Sequence, residues 1–205
     1  RRIRNAMSGA GLEVEASKGE CNRGQHEINF RYRDALRTAD EHVIFKNGAK
    51  EIAAQEDVSI TFMAKFDERE GNSCHIHLSL CDTLGGNVFS SEPAVFESFV
   101  AGQLASLREL TLLLAPNVNS YKRFAAGSWA PTTLAWGNDN RTCGFRVVGH
   151  GAARRAETRI PGGDANPYLA FAAVIAAGLH GIERELELPP GLEGNAYESD
   201  AERFP

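Results

Sequence analysis

The sequence predicts an α+β fold with a mainly antiparallel sheet flanked by helices. Short alternating segments bounded by turn residues recur along the chain, and three longer helical stretches flank them. Strands and helices do not alternate in the regular βαβ order of a parallel sheet. The 205 residues are 42% apolar and 24% charged, enough for one domain with its own core.

The elements follow in order. Leu12–Ser17 (LEVEAS) alternates as a strand does, and His26–Tyr32 (HEINFRY) is its match across a polar turn, so a hairpin is predicted. Arg33–Gln55 reads as a helix, with a break suggested at Asn47-Gly48. Val58–Phe66 (VSITFMAKF) is predicted to be a strand with Phe62 and Met63 in the core, and Ser73–Cys81 (SCHIHLSLC) is another strand. DTLGGNVF is a turn, and Pro93–Ala115 is a helix with one apolar face, ended by Pro116. The loop NVNSYKRFAAGSWAP leads to strands TTLAWG, CGFRVV and AETRI. Asn166-Pro167 opens the last helix, with proline in its first turn.

Net charge is −5, so the chain as a whole is not a nucleic-acid binder by charge. The longest apolar run, Tyr168–Leu179, has 12 residues, too few to span a bilayer, and no signal-peptide pattern is visible. Cys21, Cys74, Cys81 and Cys143 show no CxxC spacing. Reduced thiols in a cytoplasmic protein are expected, with disulfides left open. The chain starts at RRIRNAMSG without an initiator Met and stops in YESDAERFP, so a longer parent protein is expected.

Charge is uneven. Between Lys122 and Arg159, seven Lys/Arg face only Asp139 and Glu157, a local +5 against −10 in the remainder. Arginine dominates, the side chain suited to bidentate grip on phosphate or carboxylate, so a small anionic substrate is suggested. On a strand, i and i+2 share a face, which groups His75, His77 and Ser79, and separately Glu157 and Arg159. Glu20 and Glu27 stand at corresponding ends of the hairpin. Each feature alone is more often packing, a solvated face or a salt-bridged strand. Together they offer the oxygen and imidazole ligands that Mg²⁺ or Mn²⁺ accept, with arginines to balance phosphate charge. No GxxxxGK[ST] loop is present to hold phosphate instead.

The motifs GECNRGQHEINF, GNSCHIHLSL, NSYKRF, NRTCGFR and ARRAETRIPGGDANPYLAFAA, in that order over nearly the whole chain, resemble the glutamine synthetase family in its catalytic domain. The resemblance implies a curved, mainly antiparallel sheet with helices behind it, of the glutamine synthetase/guanidino kinase-like kind. It also implies ring-shaped homo-oligomers whose active sites are shared between subunits. Residues 1–205 would be part of the catalytic domain. The small N-terminal domain, the first metal-binding strand and a C-terminal tail would lie outside them. The implied reaction phosphorylates the side-chain carboxylate of glutamate with ATP, after which an amine displaces phosphate to give a γ-glutamyl amide. Two or three Mg²⁺ or Mn²⁺ ions would assist.

Matched residue by residue, Glu20 and Glu27 resemble ligands of one metal, and His75 and Glu157 ligands of another. His77 resembles the histidine near the transferred phosphoryl group, and Arg141 and Arg146 the arginines that stabilise it. Ser79 and Arg155 would contact ATP. Arg123 and Arg159 would hold the glutamate carboxylates, with Gly71 approaching glutamate through its backbone.

The sequence departs from the family in one informative place. Glutamine synthetases carry GYEAP after the Lys-Arg motif, and this chain has AAGSWAP, with Trp129 where the ammonium-binding glutamate stands. An indole cannot be a base and carries no negative charge. It can pack on an alkyl chain or attract an ammonium by cation–π contact. The expected amine is therefore a polyamine or small organic amine, as in γ-glutamylpolyamine or γ-glutamylmonoamine synthetases, rather than ammonia. Ordinary glutamine synthetase and a non-catalytic ring protein are the alternatives.

Overall fold

The computed structural model describes residues 1–69 and 71–203. The chain divides into two compact units, Arg1–Phe62 with Phe66–Glu70, and Met63–Lys65 with Gly71–Pro205.

In the first unit, helix α1 (Arg2–Gly9) leads into an antiparallel hairpin of β1 (Val14–Gly19) and β2 (His26–Phe30), in the predicted place. A bulge between Val14 and Ala16 shifts the register, which pairs Lys18 with Glu27. Helix α2 (Ala35–Gln55) is capped by Asp34, whose side chain accepts from the Arg37 N–H at 3.0 Å. The expected break at Asn47-Gly48 is absent. A Cβ on Gly48 would lie 2.8 Å from Met7 Cε, so the missing side chain admits Met7 rather than ending the helix. Phe45 meets Phe30 and Phe62 edge to face, and Phe62, expected in the core, is half-buried.

Val58–Phe66 is not a strand. No described segment pairs with it, and its later part is held by other means. The Asn72 N–H donates to Ala64 O at 2.9 Å, and the Asn119 amide bonds both the N–H and the carbonyl of Lys65, at 2.9 and 2.8 Å. Met63, expected in the core, is 48% exposed.

The second unit carries a four-stranded sheet. Its strands are β3 (Ile76–Leu78), β4 (Trp136–Asn138), β5 (Phe145–Val148) and β6 (Arg155–Thr158), in the order β3-β6-β5-β4. The β3–β6 and β6–β5 pairs are antiparallel and β5–β4 is parallel, so the sheet is mainly antiparallel as expected. Each strand is shorter than its sequence signal. Ser73–Cys81 pairs as a ladder only at its centre, with single bridges at Ser73 and Cys81, and TTLAWG joins the ladder only from Trp136, with a single bridge at Thr133.

After β3 come the short helix α3 (Val88–Ser91), then α4 (Pro93–Ala105), α5 (Leu107–Leu114) and α6 (Val118–Tyr121). The single helix expected over Pro93–Ala115 divides at Ser106, whose φ/ψ of −98°/4° leaves the helical range. The last helix, α7 (Pro167–Glu183), starts as predicted. Asn166 accepts from the N–H groups of Tyr168 and Leu169, and Pro167 occupies the first turn.

Alternation along the strands divides the sheet's side chains. Ile76, Phe145, Val147 and Ala156 join the buried core with Phe89, Phe96, Phe99 and Val174 from the helices. The polar residues between them are left on the other face. Among the described residues no helix is long and apolar enough to cross a membrane, and no disulfide joins the four cysteines.

Candidate active site

The polar face of the second unit's sheet is organised around Glu157. Register places His77, Glu157, Arg146 and Gly137 in one row across β3, β6, β5 and β4. Glu157 is 2% exposed. Its Oε1 accepts from Arg159 Nη1 at 2.7 Å and lies 3.2 Å from His75 Nδ1, while Oε2 accepts from Arg146 Nη1 at 2.9 Å. Burial works to raise its pKa. The His75 hydrogen bond and the Arg159 charge outweigh that and hold the carboxyl well below the usual range. Glu157 is thus a permanent anion that orients two cations and an imidazole.

The histidines sit on the predicted common face. Burial pushes His77 down to about 4, so it is neutral at neutral pH. Its Nδ1 accepts from Arg155 Nε at 3.1 Å, which leaves the proton on Nε2, 3.8 Å from Glu157. Burial likewise depresses His75. Ser79, one strand step further, is exposed.

Arg155 is placed by the loop before it. The Asn87 side chain donates to Ala152 O at 2.9 Å and to Arg154 O at 2.8 Å, while its Oδ1 accepts from the Phe89 N–H at the start of α3. Gly149 has φ of 77°, and a Cβ there would lie 2.3 Å from Ala153 O, so this turn requires glycine.

Two buried guanidinium groups border the cluster. Arg123 is 2% exposed and bonds Ser73 Oγ and the carbonyls of Arg159 and Ile160. Burial pushes it down to about 10, which still leaves it cationic at neutral pH. The Nε atoms of Arg123 and Arg159 are buried without a hydrogen-bond partner among the described residues. Buried N–H donors of this kind call for an acceptor. Gly71 explains how Arg123 reaches its place. A Cβ there would lie 2.3 Å from Ala64 O and 2.7 Å from Arg123 Cγ. Gly71 therefore makes room for the arginine stem.

Trp129 is 53% exposed and adopts φ of 60°, and its carbonyl accepts from Arg159 Nη2 at 3.3 Å. Arg141 is exposed and forms no ion pair among the described residues. Asp139, counted from sequence only as a charge, proves to be a second carboxylate on Arg146, with Oδ1 2.9 Å from Nε. Its φ of 50° puts it in the left-handed region that Asp tolerates, so NDN before Arg141 was the available signal.

Glu20 and Glu27 belong to the first unit and are described within it. Their carboxylates converge on one cation, Lys18 Nζ, at 3.2 Å each, and hydrogen bonds to both raise the Lys18 pKa. The hairpin therefore sets two carboxylates around the Lys18 ammonium, where the sequence reading expects a metal ion. Lys18 itself was not singled out. The donors fit a hard divalent cation in kind: two carboxylates here, a carboxylate and an imidazole at Glu157 and His75. Among the described residues, no three His, Cys, Asp or Glu gather as a complete metal-binding group.

The fold is an α+β domain whose sheet carries buried arginines, histidines and a carboxylate on one face. The family model for the glutamine synthetase catalytic domain matches residues 1–204, and the chain belongs to that family. It is 62% identical to a gamma-glutamylethanolamide synthetase of Streptomyces coelicolor, covering 100% of this chain and 45% of that protein. It is 45% identical to a glutamate–isopropylamine ligase of a Pseudomonas species, covering 98% of this chain and 45% of the relative. The solved structure of a GmaS–ADP complex superposes with a TM-score of 0.92 at 36% identity, over 99% of this chain and 50% of that one. The chain spans about half the length, or less, of these relatives.

Proposed function

We propose that the complete protein is an ATP-dependent ligase that joins glutamate to an organic amine through γ-glutamyl phosphate. The observation that carries this reading is the pair of buried arginines with unpartnered donors beside the Glu157 cluster, in a chain that keeps these groups and has Trp129 in place of the family's ammonium-binding glutamate. The likeness to relatives named for gamma-glutamylethanolamide synthesis and for glutamate–isopropylamine ligation supports an organic amine.

In this reading Arg123 and Arg159 hold the glutamate carboxylates, and Gly71 keeps Arg123 in place. Arg141 and Arg146 face the charge that spreads over a phosphoryl group in transfer, where positioned cations act most strongly. Ser79 and Arg155 take the nucleotide, and neutral His77 lies beside the transferring group. Glu20 with Glu27, and His75 with Glu157, are the candidate metal ligands. A bound Mg²⁺ or Mn²⁺ would screen phosphate charge that the arginines leave uncompensated. A cytoplasmic ring of copies with shared sites belongs to the same reading.

The test is phosphate release by the full-length protein with ATP, Mg²⁺ and glutamate, comparing ethanolamine, putrescine, spermidine and ammonium. Release with an organic amine well above that with ammonium is the expected result. Release with ammonium at least as good restores ordinary glutamine synthetase, and silence with all four points to a non-catalytic protein.

A further inference from the structure

The stretch from Gly191 to Arg203 takes no part in the Glu157 cluster, yet it is bonded repeatedly to the segment between Trp129 and Thr142. The Leu192 N–H donates to Trp136 O at 2.8 Å, and the Leu134 N–H to Glu202 O at 2.7 Å. The Asn140 amide donates to Leu192 O and Gly194 O, and the Ala196 N–H to Thr142 Oγ1. Tyr197 is the most telling. Its hydroxyl donates to Ala130 O at 2.8 Å, one residue beyond Trp129. Since Arg159 donates to the Trp129 carbonyl, two successive carbonyls of this turn, those of Trp129 and Ala130, are held by side chains.

That restraint matters because Trp129 lies in the left-handed region, which a bulky residue occupies only where its surroundings over-determine it. Core packing is not the reason, since half of the residue is exposed. Trp129 instead lines an open cleft of about 660 Å³, within the size of small-molecule sites. Trp136, Asn138, Asp139, Arg141 and Glu193 also line it.

Most polar groups there are already committed. Trp136 Nε1 donates to Pro189 O at 2.7 Å, and Asp139 is taken by Arg146. The Glu193 carboxylate, the Asn138 amide and the Arg141 guanidinium have no hydrogen-bond or ion-pair partner among the described residues. A carboxylate and an indole face select a cation. A primary amide adds both a donor and an acceptor for a polar atom close to it. Arg141 supplies the opposite charge, for the phosphoryl end of the site.

We propose that this cleft binds the amine as a primary ammonium with a short polar tail, with Glu193 contacting the cation and Tyr197 positioning the Trp129 wall. The proposal rests on the ligase reading above and adds where the amine sits and what selects it.

The test uses the full-length protein, Glu193→Gln and Tyr197→Phe, with ethanolamine and propylamine as probes. The expected result is a rise of about tenfold in the ethanolamine KM in both variants, with the KM values for ATP and glutamate changed less than twofold. Wild type should prefer ethanolamine to propylamine. An unchanged ethanolamine KM in both variants overturns the proposal, as does an equal rise in all three KM values, which marks a merely structural role. Hydroxyl-radical footprinting of Trp129, referenced to exposed Leu84, reads binding without turnover. If wild type turns over no organic amine, the ligase reading falls. Protection of Trp129 by ethanolamine then still supports the cleft, and its absence overturns it.

Discussion

Glu157 binds more groups than any other side chain in the site, so its substitution separates electrostatic organisation from packing. Glu157→Gln keeps the shape and removes the charge. It leaves Arg146, Arg159 and His75 facing an amide that offers one acceptor oxygen where two served. Losing one partner of a buried pair costs about 3–5 kcal/mol when the other charge is left unpaired. Because Arg146 retains Asp139, the expected loss is nearer the lower end, about 3 kcal/mol. The denaturant midpoint of the full-length protein should report it. Phosphate release should fall at least 100-fold, an order of magnitude set by electrostatic catalysis. A stability loss below about 1 kcal/mol would mean that the arginines do not depend on Glu157 for neutralisation.

At the scale of elements, the sheet's polar face is positioned by helices that touch through their backbones. A Cβ on Gly181 of α7 would lie 2.0 Å from Ser98 O and 2.7 Å from Gly102 Cα of α4, and one on Gly102 would lie 2.1 Å from Ala177 O. The crossing therefore tolerates no side chain at either position. Behind it, Gln103 donates from α4 to Val174 O of α7 and accepts from Thr158, the neighbour of Glu157. Gly181→Ala should separate the helices and cost about 1–3 kcal/mol as overpacking. Thermal unfolding checks this, and an unchanged midpoint would show that the helices slide apart freely. In the first unit, α2 carries a pH-sensitive group. Burial pushes His42 down to about 4 from 6.5, with Lys46 adding to the effect, and His42 Nε2 is buried without a hydrogen bond among the described residues. The unfolded chain takes up the proton first as pH falls. The native advantage is therefore complete above pH 6.5 and is lost progressively as pH drops toward 4. Denaturant midpoints between these limits should fall more steeply for wild type than for His42→Phe. Parallel slopes would remove His42 as the cause.

At the scale of the molecule, local patterns in the sequence were legible where local physics decides. The hairpin around GECNRGQHEINF, the Asn166-Pro167 start of α7 and the common face of His75 and His77 all follow from turn chemistry, capping and strand alternation. Val58–Phe66 reads as a strand because alternation reports propensity, whereas a ladder needs a partner, and here Asn119 meets the backbone of Lys65 instead. Gly48 reads as a helix break, although its role is to admit Met7 from α1. The site was less legible where it depends on tertiary pairing. Asp139 and Tyr197 gain their importance only when Arg146 and the Trp129 turn come beside them, and neither contact leaves a periodic trace. Completeness of the site is likewise a question for the whole protein. Hard divalent cations take about six oxygen ligands. The described residues offer Glu20 with Glu27 and His75 with Glu157, and no group of three or more. Residues 1–205 on their own should therefore show no amine-dependent phosphate release from ATP and glutamate, while the full-length protein does. Turnover by the isolated segment at a rate comparable to the full-length protein would show that these four ligands and the arginines suffice.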